Sequence, residues 1–187
     1  MTPEPDSPIR VDWLDGAELG GGGRLGLTIL PGKHGASTRY PGLVYRRELR
    51  RDLDGLRALG VKQVLLLVDD GELARWGDVE IVARAAEAGL PITRRPMQDG
   101  TAPASVEQMD DILAELSVGR RSGDVAVACM GGVGRSGTVA ACALVAAGAS
   151  AAEAIARVRV VRHPTAVETD EQVAFVEAYE RHIAALR

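Results

Sequence analysis

The sequence predicts an α/β fold: a single domain with a central mixed, mostly parallel sheet of about four to five strands, helices on both faces and a helical C-terminal third. Three observations lead to this prediction. Short aliphatic runs alternate along the chain with segments of helical periodicity. The run from Val61 to Val68 is continuously aliphatic, which is typical of a parallel strand buried on both faces. Beyond residue 150, only helical patterns follow.

Composition restricts the class of protein. The chain has 187 residues, of which 46% are hydrophobic, enough for one domain with a full core. A net charge of −4 argues against nucleic-acid binding, and no apolar run approaches the roughly 20 residues of a membrane span. The N-terminus lacks the charged and apolar regions of a signal peptide. Two cysteines, Cys129 and Cys142, are too few for a disulfide framework, so we expect a cytoplasmic protein.

The first part of the chain divides near residue 23. Residues 1–23 contain early prolines and a run of four glycines, which predict a flexible or irregular N-terminal lead-in to one folded domain over 24–187. Residues 25–30 are predicted as the first strand and 44–45 as another short strand. The polar segment 33–42 between them is predicted to be turn-like.

The middle of the chain alternates helices and strands. Leucines at helical spacing predict a helix from Leu49 that stops at Gly60. Asp69-Asp70-Gly71 is interpreted as a plain turn. The further expected elements are a strand over 61–68, helices over 72–76 and 78–88, a strand over 91–95 and a loop over 96–103.

The C-terminal half contains three segments with the spacing of a helix capping box, in which a hydroxyl residue is followed three positions later by Glu or Gln. They begin at Ser105, Ser150 and Thr169. The predicted elements are a helix over 106–118, a strand over 125–129, a buried helix that ends at Gly148, and helices over 151–160 and from 170 to near the C-terminus.

The most informative stretch joins the strand 125–129 to the buried helix. It runs through Cys129, a glycine-rich turn, Arg135 and Ser136. The first amides of a helix have no intrahelical partner and carry partial positive charge, so such a turn predicts an anion site. A cysteine at its rim, with an arginine nearby, is expected to favour the thiolate.

Two nucleotide-binding motifs match part of this stretch. The glycine pattern that starts at Gly132 fits a dinucleotide fingerprint, but the expected strand with a terminal acidic residue does not follow it. A nucleotide P-loop requires a lysine where Arg135 stands. Both patterns are therefore disfavoured.

The stretch does fit the signature of cysteine, five residues, arginine, then serine or threonine. Successive amides of a loop with three glycines can point at one phosphate, while the arginine fork holds two of its oxygens. The sulfur of Cys129 then stands in line with phosphorus. The predicted phosphate-binding residues are Met130, Gly131, Gly132, Val133, Gly134 and Arg135.

From about Gly26 onward, the sequence resembles the cysteine-dependent protein phosphatases, in particular the dual-specificity group and its cyclin-dependent-kinase-associated branch. The most specific match is Cys129 to Gly137, followed by Pro96-Met-Gln-Asp99-Gly100, with weaker matches at Leu30–Lys33, Asp52–Val68 and Val167–Gln172. The resemblance implies a phosphotyrosine-phosphatase-like fold. It also implies a phosphorylated protein as partner and a site that takes phosphate, vanadate or sulfate, with no metal or organic cofactor.

The resemblance also implies roles for residues outside the signature. Asp99 is implied to be the general acid, although an Asp-Gly pair is by itself a common turn. Ser136 is implied to assist the departing sulfur. Gln172 either positions the hydrolytic water or simply completes the predicted helix cap that begins at Thr169.

Three questions remain open in the sequence. Ala128 stands where the family has a histidine before the nucleophile, which leaves a weakened or re-tuned enzyme or a non-catalytic phospho-ligand binder. Independently of Ala128, a phosphatase of a small molecule such as a phosphoinositide is a further alternative. Cys142 is expected in the core, with reversible pairing to an oxidised Cys129 as the alternative. Lys33 is expected to face solvent, with a contact to phosphate or to a partner as the alternative.

Overall fold

The computed structural model describes residues 7–37 and 39–187. Over these residues a five-stranded sheet has the order β1–β2–β7–β5–β6, and β3 pairs with β4 as a separate hairpin. The strands are Val11–Leu14 (β1), Leu25–Ile29 (β2), His34–Ala36 (β3), Val44–Arg46 (β4), Val61–Leu66 (β5), Ile92–Arg94 (β6) and Asp124–Cys129 (β7).

The sheet is mixed and mostly parallel, as the sequence predicts. Only β1 runs antiparallel to its neighbour, while β2, β7, β5 and β6 are parallel. The central position of β7 places the carboxyl end of that strand between the ends of β2 and β5. Loops that follow these strands therefore meet at one edge of the sheet, where doubly wound folds bind their ligands.

Helices cover both faces of the sheet, which confirms the predicted architecture. One apolar core packs α4, α5, α6 and α7 against one face, and a second core packs α1, α2 and α3 against the other. The helices are Leu49–Ala58 (α1), Asp70–Trp76 (α2), Ile81–Glu87 (α3), Val106–Ser122 (α4), Arg135–Ala146 (α5), Ala151–Val161 (α6) and Asp170–Ala185 (α7). Within the described ranges, no helix combines the length and the apolarity needed to cross a membrane.

The N-terminal segment differs from its prediction. Residues 11–14 form β1 and residues 16–19 a short 3-10 helix, where an irregular lead-in was expected; residues 1–6 lie outside the described residues. Val11 and Leu14 are buried because β1 adds to the edge of the sheet against β2. A four-residue strand with only its ends buried shows no alternation in the sequence, so the pattern misses it.

Two short segments were also assigned wrongly. His34–Ala36, predicted as turn-like, pairs with Val44–Arg46 across a hairpin whose three-residue strands are too short to show periodicity. Asp69-Asp70-Gly71 is not a plain turn, because Asp69 is the N-cap of α2 and the next two residues are its first turn.

Candidate active site

The signature loop connects β7 to α5 at the central edge of the sheet. β7 ends at Cys129 and α5 begins at Arg135, so the loop comprises the five residues between them. The Gly132 amide donates a hydrogen bond to Cys129 Sγ over 3.2 Å. Gly132 has φ +67°, and a Cβ at this position would collide with the carbonyl oxygen of Thr28. Glycine is therefore required where the loop turns back over the sulfur.

The thiol of Cys129 is buried, yet its pKa lies below the ordinary cysteine value. Burial raises this pKa, but the Arg135 charge opposes it most strongly, followed by the hydroxyl and amide of Ser136 and the amide of Gly131. These groups surround the sulfur with positive charge and dipoles, which stabilises the thiolate. The surroundings therefore favour the ionised form of this thiol, unlike those of an apolar core.

Arg135 is completely buried and held in place by an acidic partner that the sequence did not reveal. Its Nη1 and Nη2 donate to the two carboxylate oxygens of Glu72 over 2.6 and 2.7 Å, and Nη1 also donates to the Met97 carbonyl over 2.8 Å. Although burial alone lowers the pKa of Arg135, the Glu72 carboxylate raises it above the ordinary value. Arg135 Nε is buried and has no hydrogen-bond partner among the described residues.

Glu72 reaches this position because it is the third residue of α2. The Asp69 side chain accepts from the Glu72 amide over 2.8 Å, and the Glu72 carboxylate accepts from the Asp69 amide over 3.0 Å. This reciprocal capping box fixes the carboxylate at the start of the helix. The spacing Asp69-x-x-Glu72 was visible in the sequence and would have indicated a helix start at this point.

Asp99 lies on the loop between β6 and α4. Its side chain is 74% exposed, and Oδ1 lies 2.9 Å from Arg135 Nη2. The loop therefore brings the predicted acid to the same guanidinium that belongs to the signature loop.

Ser136 and Gln172 are both buried beside the loop. Apart from the Cys129 sulfur, whose pKa its hydroxyl lowers, Ser136 Oγ has no hydrogen-bond partner within the described part of the chain. Gln172 Nε2 donates to the Thr101 carbonyl over 3.0 Å, and a Cβ at Gly134 would lie 3.2 Å from both atoms of the Gln172 amide group. The Gln172 side chain thus lies between the signature loop and the Asp99 loop.

The predicted cap of α7 is present only in part. Thr169 Oγ1 accepts from the Gln172 amide over 3.2 Å, as expected for an N-cap. Gln172 Oε1 accepts from the Glu168 amide over 2.9 Å, one residue before the N-cap. The capping-box spacing is thus a correct signal for the helix start, but it does not describe what the Gln172 side chain contacts.

Lys33 does not face solvent, contrary to the expectation from the sequence. It is 6% exposed, donates from Nζ to the Met130 carbonyl over 3.1 Å and lies 4.3 Å from the centre of the Tyr45 ring. Burial lowers the pKa of Lys33 to about 8, although the negative charges of Cys129, Asp99 and Glu72 act to raise it. A polar residue in a loop gave no sign of this burial, because the β3–β4 hairpin covers it.

Arg162, at the end of α6, also contacts the signature loop. Its Nη2 donates to the Gly131 carbonyl over 2.8 Å and its Nε to the Gly132 carbonyl over 3.0 Å, while Nη1 pairs with Asp12 over 2.7 Å. These bonds hold the carbonyls outward, so that the loop amides can face inward. No sequence motif pointed to this residue, which lies 27 positions beyond Arg135.

A cavity of about 720 Å³ opens from the signature loop to the surface. Its walls combine apolar and aromatic side chains with cations and acids, including Ile29, Tyr40, Tyr45, Met130, Val133, Arg10, Lys33, Arg39, Arg162, Asp12, Asp99 and Glu168. Most of these cations have acidic partners, because Arg10 and Arg162 pair with Asp12, and Arg39 with Glu168.

In the ranges 7–37 and 39–187, no cluster of three or more His, Cys, Asp or Glu side chains could hold a metal ion.

Ala128 and Cys142 both lie outside the signature loop. Ala128 precedes Cys129 on β7 and is fully buried in the core on the opposite face of the sheet. Cys142 is buried in α5, as predicted, and burial raises the pKa of its thiol. The two thiols of the chain therefore have opposite chemical environments.

The fold and this site define the chain as a phosphatase of the cysteine-dependent protein tyrosine/dual-specificity class. Its likeness to solved structures of this class is close over most of the chain. The kinase associated phosphatase (KAP), in a form with its catalytic-site cysteine changed to serine, has a TM-score of 0.83 and 25% identity, over 96% of this chain and 98% of that chain. Tk-PTP in the active form has a TM-score of 0.66 and 34% identity, over 85% of this chain and 92% of that chain.

Within this class, the chain belongs to the cyclin-dependent kinase inhibitor 3 (CDKN3) family, whose model matches residues 2–156. The cyclin-dependent kinase inhibitor 3 of Sus scrofa is 26% identical over 185 residues, which cover 97% of this chain and 84% of the relative. That of Rattus norvegicus is 27% identical over 187 residues, with the same coverage. The branch that the sequence resembles is thereby confirmed.

Proposed function

We propose that this chain hydrolyses phosphate monoesters on proteins through a phospho-cysteine intermediate. The relative positions of three side chains carry the proposal. Cys129 Sγ accepts a hydrogen bond from the Gly132 amide, and Glu72 holds the nearby Arg135 guanidinium in place. Asp99 lies 2.9 Å from the same guanidinium. A nucleophile, an anion-binding fork and an acid thus converge on one point.

In the first step, the Cys129 thiolate attacks phosphorus and the S–P bond forms as the P–O ester bond breaks. The electron pair of that bond goes to the leaving oxygen, which takes the proton of the Asp99 carboxyl group. The amides of residues 130–135 and the Arg135 guanidinium hold the charge on the equatorial oxygens. The product of this step is an alcohol or phenol and a phospho-cysteine.

In the second step, a water attacks phosphorus and the S–P bond breaks, which returns the electron pair to sulfur. Asp99, now a carboxylate, accepts the proton of the water. The Ser136 hydroxyl, buried and without another partner among the described residues, stabilises the departing thiolate. Gln172, buried between the two loops, positions the water.

A phosphorylated protein is the substrate that we propose, with phosphotyrosine as the preferred residue and phosphoserine or phosphothreonine also accepted. The similarity to a kinase associated phosphatase supports a kinase or other phosphoprotein as partner. The aromatic and apolar walls near the loop, at Tyr45, Ile29 and Met130, suit a phenyl ring. We place this activity in the cytoplasm, where both cysteines would remain reduced.

The experiment that tests this proposal is a steady-state assay with an aryl phosphate. We expect turnover in the wild type, none in Cys129→Ser and a fall of about 10²- to 10⁴-fold in Asp99→Ala with a poor leaving group. Binding of vanadate without any turnover would contradict the proposal and would favour a non-catalytic phospho-ligand module. A panel of phosphopeptides and phosphoinositides would then identify the substrate class, since exclusive turnover of the lipids would contradict a protein substrate.

A further inference from the structure

The loop that carries Asp99 is bonded to the first turn of α7. Gly100, Thr101 and Ala102, the three residues after Asp99, each make one hydrogen bond to this turn. Thr169 Oγ1 donates to the Gly100 carbonyl over 2.9 Å, and Gln172 Nε2 donates to the Thr101 carbonyl over 3.0 Å. The Ala102 amide donates to Glu171 Oε1 over 3.2 Å.

The hydroxyl of Thr169 makes two hydrogen bonds at once. It accepts from the Gln172 amide as the N-cap of α7, and it donates its own proton to the Gly100 carbonyl. The same atom therefore starts the helix and holds the loop. The two hydrogen bonds can be separated by mutation. An aspartate at this position can still accept the amide hydrogen bond of an N-cap, but it has no proton to donate to the Gly100 carbonyl.

The loop itself makes a tight turn around Asp99. Thr101 bonds back to the Gln98 carbonyl through both its amide and its hydroxyl, and Gly100 has φ +78°. These bonds fix the shape of the turn but not its place relative to the signature loop. The bonds to α7 fix that place, because α7 packs against α5, the helix that begins with Arg135.

We propose that Thr169 and Glu171 are positioning residues that hold the Asp99 loop in register with Arg135 and the phosphate site. This proposal rests on the function proposed above, in which Asp99 is the general acid. Neither side chain touches the phosphate in this role; both act by holding the backbone of residues 100 and 102. Loss of either bond would leave attack by Cys129 intact and would impair protonation of the leaving oxygen.

The proposal therefore predicts that the loss of rate in these variants depends on the leaving group. A leaving group that is stable as an anion needs little help from an acid, whereas a poor leaving group needs the proton. Variants with a displaced loop should therefore lose rate with poor leaving groups and keep it with good ones. A merely structural defect would lower both rates by the same factor.

The chain offers matched variants for each residue. Glu171→Ala removes the acceptor and Glu171→Gln keeps an amide oxygen in its place, while Glu177→Ala removes an exposed glutamate further along the same helix. Thr169→Asp keeps an N-cap acceptor but has no proton to donate, whereas Thr169→Ser keeps both functions. Melting temperatures of all variants would show that the helix cap is retained.

The test measures kcat/KM, which reports the steps up to release of the leaving group, with a series of aryl phosphates whose leaving phenols differ in acidity. For Glu171→Ala and Thr169→Asp, we expect a fall of about 10-fold or more with the poorest leaving group and less than about 2-fold with the best. Glu171→Gln, Thr169→Ser and Glu177→Ala should follow the wild type. In an Asp99→Asn background, Glu171→Ala should have no further effect.

Equal losses across the series, or no loss, would overturn the proposal in an active enzyme. A second measurement does not depend on turnover: amide hydrogen exchange over residues 98–104 should be faster in Glu171→Ala and Thr169→Asp than in Glu177→Ala. Unchanged exchange would show that α7 does not hold the loop. A wild type that never turns over but shows this exchange pattern would contradict the proposed function and leave the loop contact supported.

Discussion

Glu72 holds the guanidinium of Arg135 with two hydrogen bonds of 2.6 and 2.7 Å, and the two residues stand in the first turns of α2 and α5. These helices follow β5 and β7, which are parallel neighbours in the sheet. The carboxyl ends of parallel strands share one edge, so the two helix starts face each other. The planar carboxylate matches the planar fork of arginine and fixes its orientation near Cys129.

Removal of the Glu72 carboxylate should be costly in both stability and activity. In Glu72→Ala the buried Arg135 loses its partner, and we expect the free energy of unfolding to fall by about 3–5 kcal/mol. We also expect kcat/KM to fall by about 10²-fold, because the fork is no longer oriented. Urea unfolding and aryl phosphate kinetics measure the two effects.

The matched control for Glu72 is Asp70, which is 90% exposed on the same helix and pairs with Arg94. Asp70→Ala should lower the free energy of unfolding by no more than about 1 kcal/mol, as is usual for an exposed ion pair. If Glu72→Ala cost no more than Asp70→Ala, the buried pair would not hold Arg135.

The two cysteines should differ in their reactivity toward an alkylating reagent. The pKa of Cys129 lies below the ordinary value because Arg135, Ser136 and the loop amides outweigh its burial, whereas burial raises the pKa of Cys142. We expect Cys129 to be alkylated by iodoacetate below about pH 8.5, the pKa of a free thiol, and phosphate to protect it. Mass spectrometry of the labelled peptides would measure the pH dependence.

Cys142 is the internal control in that experiment, since its thiol is buried in the same chain and should remain unlabelled. Arg135→Lys should move the Cys129 profile to higher pH, because the lysine charge lacks the planar fork that faces the sulfur. A Cys129 profile that matched that of free cysteine would show that the loop does not activate this thiol.

Lys33 should make stability depend on pH above neutrality. Its pKa is lowered to about 8 in the folded protein, mainly by burial, from a value of 10.5 in the unfolded chain. Between these values the unfolded chain holds a proton that the folded protein has released, so the free energy of unfolding rises with pH. In Lys33→Met this rise should be absent.

Urea unfolding at several pH values from about 7 to about 10 would measure this difference. Lys62→Met, which removes an exposed lysine, should retain the pH dependence of the wild type. An identical pH profile for Lys33→Met and the wild type would show that Lys33 keeps an ordinary pKa in the folded protein.

Arg162 should strengthen anion binding, because it donates hydrogen bonds to two backbone carbonyls of the signature loop. Arg162→Gln removes the bonds to Gly131 and Gly132, and we expect vanadate to bind about 10-fold more weakly, which corresponds to about 1.4 kcal/mol. Arg10→Gln is the matched control, because Arg10 is 69% exposed and pairs with the same Asp12. Isothermal titration would compare the two variants. Equal affinities would show that the loop keeps its shape without Arg162.

Much of the fold could be predicted from the sequence because its signals are local. The aliphatic run at Val61–Val68 indicated a central strand, and hydroxyl residues three positions before Glu or Gln marked three helix starts. The segments that escaped prediction, β1 and β3, have only four and three residues. Strands this short are stabilised by the neighbours that they pair with, so their own residues carry little signal.

The sequence by itself determined the signature loop, because the spacing of Cys129, Arg135 and Ser136 follows from the geometry of a loop that encloses one anion. It also indicated Asp99, through a resemblance that covers most of the chain. Only the tertiary structure decided what holds these residues: Glu72, Lys33 and Arg162 come from elements 63, 102 and 27 positions away from Arg135. Such partners depend on which strands are neighbours and which helix ends share an edge, and no local pattern of residues encodes that arrangement.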